Sequence, residues 1–122
     1  MGDQTQIRGV VESIRLTNIN KARGQYTYVV ALIVRPREIV PGADTNVQRW
    51  VREGKVPATV SIRVDKVYWG SLPPARQAEL APAGPAPTLQ VQQYGRHAVG
   101  EGLDLAVHFT SPGLADPVSI DP

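Results

Sequence analysis

The chain reads as an all-β domain with one or two short helices, and three features of its 122 residues carry that reading. Strand-like runs dominate the order of elements: Gln6–Ile19, Gln25–Arg35 and Val56–Trp69, then a short helical run Pro73–Leu80, then Thr88–Tyr94 and Leu103–Thr110. Gly and Pro, eleven of each, exceed their ordinary share and supply many turns. Apolar residues recur at every second position, the period of a strand with one buried face. The third run shows this best, where Val56, Ala58, Val60, Ile62 and Val64 alternate with Thr59, Ser61, Arg63 and Asp65.

The first run alternates but slips in phase. Ile7, Gly9 and Val11 share one face, whereas Ile14 and Leu16 lie on the other. One extra residue near Val11–Glu12, a β-bulge, reconciles the halves and bends the strand. Asn18–Gly24 reads as a hairpin loop, with Asn and Gly available for positive φ. The second run is apolar on both faces near its end, as a central strand is, and Pro36 is expected to close it. Residues Arg37–Gly54 then form an insertion. In it Thr45-Asn46-Val47-Gln48 fits a capping box, and Val47, Trp50 and Val51 share one face of a short amphipathic helix.

Carried through the third run, the alternation turns Tyr68 inward with Ile62 and Val64 and leaves Trp69 outside. Ser71 can cap a helix entered through Pro73 and Pro74, where a missing N–H costs little. Ala75–Leu80 has strong helix propensity, and the Pro/Ala stretch Ala81–Pro87 ends the helix. The fourth run is short and polar on one face, like an edge strand. Gly95–Gly102 reads as a loop. In the fifth run Leu103, Leu105, Val107 and Phe109 face inward, against Asp104, His108 and Thr110. The expected organisation is one barrel over residues 1–110, with the insertion at 37–54 and an irregular tail over 111–122.

With no cysteine in the chain, disulfide frameworks, thiolate catalysis and Cys-based zinc sites are excluded, and a reducing, cytoplasmic setting is favoured. The N-terminal residues lack the apolar stretch of a signal peptide. The longest apolar run, Tyr28–Val34, is too short to span a bilayer, so no membrane association is expected. The net charge of +2 is unevenly spread. Residues 1–66 hold eleven Lys/Arg against six Asp/Glu, and residues 67–122 hold two against five.

The order β-β-β-α-β-β over about residues 6–110 resembles the OB-fold. That resemblance implies a five-stranded Greek-key barrel used as a binding scaffold, its ligand crossing strands two and three between the first and last loops. Catalytic signatures are absent: there is no Gly-x-Ser-x-Gly, and the glycines of 95–102 lack a Walker lysine. His97 and His108 alone do not make a metal site. The expectation is a non-enzymatic binding module without cofactor or metal.

Single-stranded DNA or RNA is the first ligand class, because its binders combine a basic groove with aromatic platforms. The residues that could supply these are Lys21 and Arg23 in the first loop, Tyr26 and Tyr28 beyond it, Arg63, Lys66 and Trp69 on the third strand, and Arg96 and His97 in the last loop. Each has a plainer structural reading. Tyr26 and Tyr28 share a face with Val30, Leu32 and Val34 and suit the rim of a core, while Arg63 and Asp65 suit cross-strand charges. The alternative function is a protein-interaction module or homo-oligomer subunit, which the modest net charge favours.

Overall fold

Two long antiparallel strands set the frame in a computed structural model that describes residues 4–20 and 26–119. They are β1 (Thr5–Asn20) and β2 (Thr27–Val40). Helix α1 (Thr45–Arg52) leads to β3 (Val60–Tyr68), and a 3-10 turn at Trp69–Ser71 leads to helix α2 (Pro74–Leu80). Three short strands follow: β4 (Thr88–Val91), β5 (Gln93–Tyr94) and β6 (His97–Ala98). The described chain ends with β7 (Gly102–Ser111) and β8 (Leu114–Pro117).

Five of these strands close a ring in the order β1-β2-β3-β8-β7 and back to β1. The first three run in sequence and β7 returns beside β1, which is a Greek-key path. β8 then enters between β7 and β3, antiparallel to the first and parallel to the second. The segment expected as an irregular tail therefore supplies the closing strand. Without it the edges of β3 and β7 would expose unpaired backbone groups.

The fourth expected strand lies outside the ring. β1 is longer than either partner on its second edge: β7 covers Thr5–Val10 and β4 covers Ile14–Thr17. At the junction Val11 donates its N–H to the Glu101 carbonyl at 3.0 Å and accepts from Gly100 N at 2.7 Å. The end of the expected fourth run is a separate strand, β5, which pairs as a small hairpin with β6, itself within the stretch expected to be a loop.

The bulge near Val11–Glu12 is present: Val11 faces Val34, Ser13 faces Ile33, and Glu12 is the extra residue. Ile7, Val11, Ile14 and Leu16 are consequently all buried. β2 does not stop at Pro36. Gly9 faces Pro36 and Arg8 faces Glu38, so Arg37 is a second extra residue and the proline sits at a bulge, where a missing donor is tolerated. A Cβ on Gly9 would run into the Arg35 carbonyl oxygen, so only glycine admits this approach.

The core is built from the inner faces of the ring: Tyr28, Val30, Leu32 and Val34 on β2, Val60 and Ile62 on β3, Val107 on β7 and Ala115 on β8. α1 is anchored to it by Val47, which is fully buried, with Trp50 packed alongside and Val51 left exposed. Its cap is Asp44, not Thr45: the carboxylate accepts from Asn46 N and Val47 N at 3.0 and 3.1 Å. At the other end Gly54 has φ +69°, and the N–H groups of Gly54 and Lys55 reach back to Val51 O and Trp50 O, a Schellman stop. The cap of α2 also differs from expectation, being Pro73 with no side-chain bond, not Ser71.

Candidate functional site

The outer face of β2 and β3 is shaped by a bulge that alternation alone misses. Val30 faces Asp65 while Ala31 faces Arg63, which leaves Val64 as an extra residue on β3. Val60, Ile62 and Val64 point inward before it; after it the phase inverts and Val67 is inside. Tyr68 thus turns outward, 59% exposed, and Trp69 turns inward, 8% exposed. This reverses the expected exposure of the two aromatics. The adjacent polar pair Asp65-Lys66 between Val64 and Val67 is the sequence mark of the slip.

Trp69 is therefore interior, not a stacking platform, and Tyr28 joins it there. Tyr28 is fully buried and donates its phenol hydrogen to the Ala86 carbonyl at 2.6 Å, tying β2 to the connector after α2. Burial pushes the Tyr28 phenol up from its ordinary pKa. Tyr26 is half-buried, and its carbonyl accepts from Trp69 N at 2.9 Å.

An open groove of about 650 Å³ runs over this face. Ile19 and Val29 form its apolar floor with Pro117, and Arg63, Asp65, Lys66 and Asp116 supply the charge. Ile19, 53% exposed, shares the outward phase of Arg15 and Thr17 and is the extra residue between the pairs Asn18–Tyr28 and Asn20–Thr27. The bulge at Val64 thus re-aims Lys66 into the same groove.

The charges balance, two cations against two carboxylates. Arg63 grips Asp116 through Nε and Nη2, each at 2.8 Å. Asp65 accepts from its neighbour's backbone, Lys66 N, at 2.7 Å and from the Tyr94 hydroxyl at 2.7 Å. Burial first, and the Asp65 bond second, push the Tyr94 phenol well above its ordinary pKa. Lys66 is exposed, and its ammonium has no hydrogen-bond or ion-pair partner among the described residues.

Lys21 and Arg23 lie outside the described residues. Arg96 is exposed at the turn between β5 and β6, and His97 is buried in β6 instead of lying in a loop. Neither lines the groove, although their hairpin is tied to β3 by the Tyr94–Asp65 bond. Of the nine residues read from the sequence, the groove brings together Arg63 and Lys66. Asp116 and Ile19 line the groove but were missed as site residues, Asp116 because it arrives on a strand read as tail; Tyr68, exposed on β3, was turned inward by an alternation that the Val64 bulge breaks.

Among the described residues no three of His, Asp or Glu converge as metal ligands, and no helix is long and apolar enough to cross a membrane. No protein-family model, curated protein or solved structure matches the chain.

Proposed function

We propose that the chain is a non-enzymatic binding module that takes single-stranded nucleic acid on the outer face of β2 and β3. The observation that carries this reading is the juxtaposition of an open groove with Arg63 and the Lys66 ammonium, which has no partner among the described residues, on the strand that exposes Tyr68. Cations that track phosphates and an aromatic face on which bases stack are what such a ligand needs. The ring order, with three successive strands, a fourth beside the first and a helix before it, also supports assigning the barrel to the OB architecture. Ligands of that architecture cross strands two and three, where the groove lies.

The test is fluorescence anisotropy with labelled single-stranded DNA and RNA at two salt concentrations. Tyr68→Ala should weaken binding by about 1–3 kcal/mol, the worth of one base stack. Lys66→Ala should flatten the salt dependence by about 0.7 in log–log slope, one phosphate contact. No binding at micromolar protein in low salt overturns the reading.

Charge balance in the groove favours a second reading, a protein segment or another copy of this chain docked on Ile19, Val29 and Pro117. A defined oligomer by mass measurement in solution, dispersed by Ile19→Asp, would support it.

A further inference from the structure

The Arg63–Asp116 pair lies in the groove on the outer face of β2 and β3. Its side-on fork, two parallel bonds of 2.8 Å from Nε and Nη2, is the geometry by which a guanidinium grips either a carboxylate or a phosphate. Both side chains are partly open to solvent, 38% and 42% exposed, so water and a ligand anion can reach them. Both also line the groove.

Asp116 does not depend on Arg63 for its position. β8 is laddered to β3 through Ser61–Leu114 and Ile62–Ala115, and to β7 through Phe109–Ala115 and His108–Asp116. Ser61 N adds a bond to the Gly113 carbonyl at 2.9 Å. The backbone therefore presents this carboxylate to the groove, where the Arg63 side chain meets it. The other nearby carboxylate, Asp65, is already engaged by Lys66 N and the Tyr94 hydroxyl.

We infer that Asp116 is an internal competitor for the phosphates of a single-stranded nucleic acid, filling the donors of Arg63 until the strand displaces it. This rests on the function proposed above and adds a restraint to it. With the carboxylate in place, an isolated phosphate gains little at Arg63, since one anion only replaces another. A strand that also stacks on Tyr68 and pairs with Lys66 can take the guanidinium over. Asp116 thus sets how selective the face is for a ligand bearing both bases and phosphates over simple polyanions.

The test uses the full chain and a labelled oligothymidylate, with anisotropy titrations in low and moderate salt. The proteins are wild type, Asp116→Asn, Arg63→Gln and the double variant, each checked by thermal melting. Asp116→Asn should bind about five-fold tighter, the upper worth of an exposed ion pair. Its log–log salt slope should steepen by about 0.7, because no freed carboxylate then takes up a cation as the phosphate at Arg63 sheds one. The double variant should lose both gains, because they pass through Arg63. Heparin should compete better against Asp116→Asn than against wild type. Should the Asn variant melt early, Asp116→Ser carries the same comparison. Wild-type binding with no gain in the folded Asp116 variant overturns this inference and leaves the proposed function standing. A gain that persists in the double variant also overturns it, as removal of charge in general. If neither wild type nor Asp116→Asn binds, the proposed function falls and takes this inference with it.

Discussion

Tyr28 and Trp69 meet edge to face inside the barrel, with ring centroids 5.7 Å apart and planes inclined at 63°. The contact locks the end of β3 to β2 just where the chain turns toward α2. Trp69→Ala should therefore cost about 3–5 kcal/mol in urea unfolding, as an emptied aromatic site does. Tyr28→Phe keeps the ring but leaves the Ala86 carbonyl without its donor, at about 1 kcal/mol. Tyr68→Ala, one residue from Trp69 but exposed, should change stability by no more than about 0.5 kcal/mol. Equal costs at positions 68 and 69 would contradict the phase inversion at Val64.

Gly9 is held against the β2 backbone. A methyl there would run into the Arg35 carbonyl oxygen and meet the Pro36 Cα at 2.9 Å, atoms of the main chain that cannot swing aside. Gly9→Ala should destabilise by about 1–3 kcal/mol or more through overpacking. Gly70→Ala is the control, since nothing lies within 4 Å of its added carbon, and should shift stability by about 0.5 kcal/mol at most. Thermal unfolding of the two variants checks the contrast.

Helix α1 is started by Asp44 and not by Thr45. Asp44→Ala leaves Asn46 N and Val47 N without their acceptor and should cost about 0.5–2 kcal/mol. Thr45→Ala, on an exposed first-turn residue, should stay within about 0.5 kcal/mol. Urea midpoints at constant slope decide between the two caps.

At high pH the Tyr94–Asp65 bond sets one limit on stability. The Tyr94 phenol is raised in the folded chain, so its stabilisation is complete below the unfolded value near pH 10 and is lost as pH rises through the folded pKa. Wild type should lose stability above about pH 10 more steeply than Tyr94→Phe, which has no phenol to ionise. Denaturant midpoints from pH 8 to 11, approximately, follow the two limbs.

At low pH the sign reverses. Asp104 accepts from Gln6 Nε2 at 2.6 Å and from Arg8 Nε at 3.1 Å, and these partners, Gln6 foremost, hold its carboxyl below the ordinary range. Its contribution is present above the unfolded value and is lost as pH falls below about 4. Asp104→Asn should flatten that acid limb, and Arg8→Gln should flatten it partly. The same denaturant titration extended to low pH reads both.

Local chemistry made much of this molecule legible. The β-rich order, the bend at Val11–Glu12 and the helix in the insertion each follow from the spacing of apolar residues over a few positions, because burial of one face imposes a period on the chain. Of the two candidate site residues that the groove brings together, Arg63 stands where alternation puts it outside, whereas Lys66 shares the phase of Val64 and reaches the outer face only through the bulge there.

Partner choice was not legible. The ring closes through a four-residue strand that pairs with β3 far back in the chain, and Arg63 finds Asp116 across 53 positions. Four residues containing a proline carry no period of their own, so Leu114–Pro117 resembles a tail until two neighbouring edges claim its backbone groups. Likewise, β4 looks like a ring member by pattern, yet β7 already holds the other half of the same β1 edge. The bulge at Val64 then decided which side chains of β3 reach the groove. The β-barrel character was thus written in the local pattern, whereas the composition of its ligand face was decided by long-range pairing. Hydrogen bonding between distant backbone segments selects register and edge, and no local period records that choice.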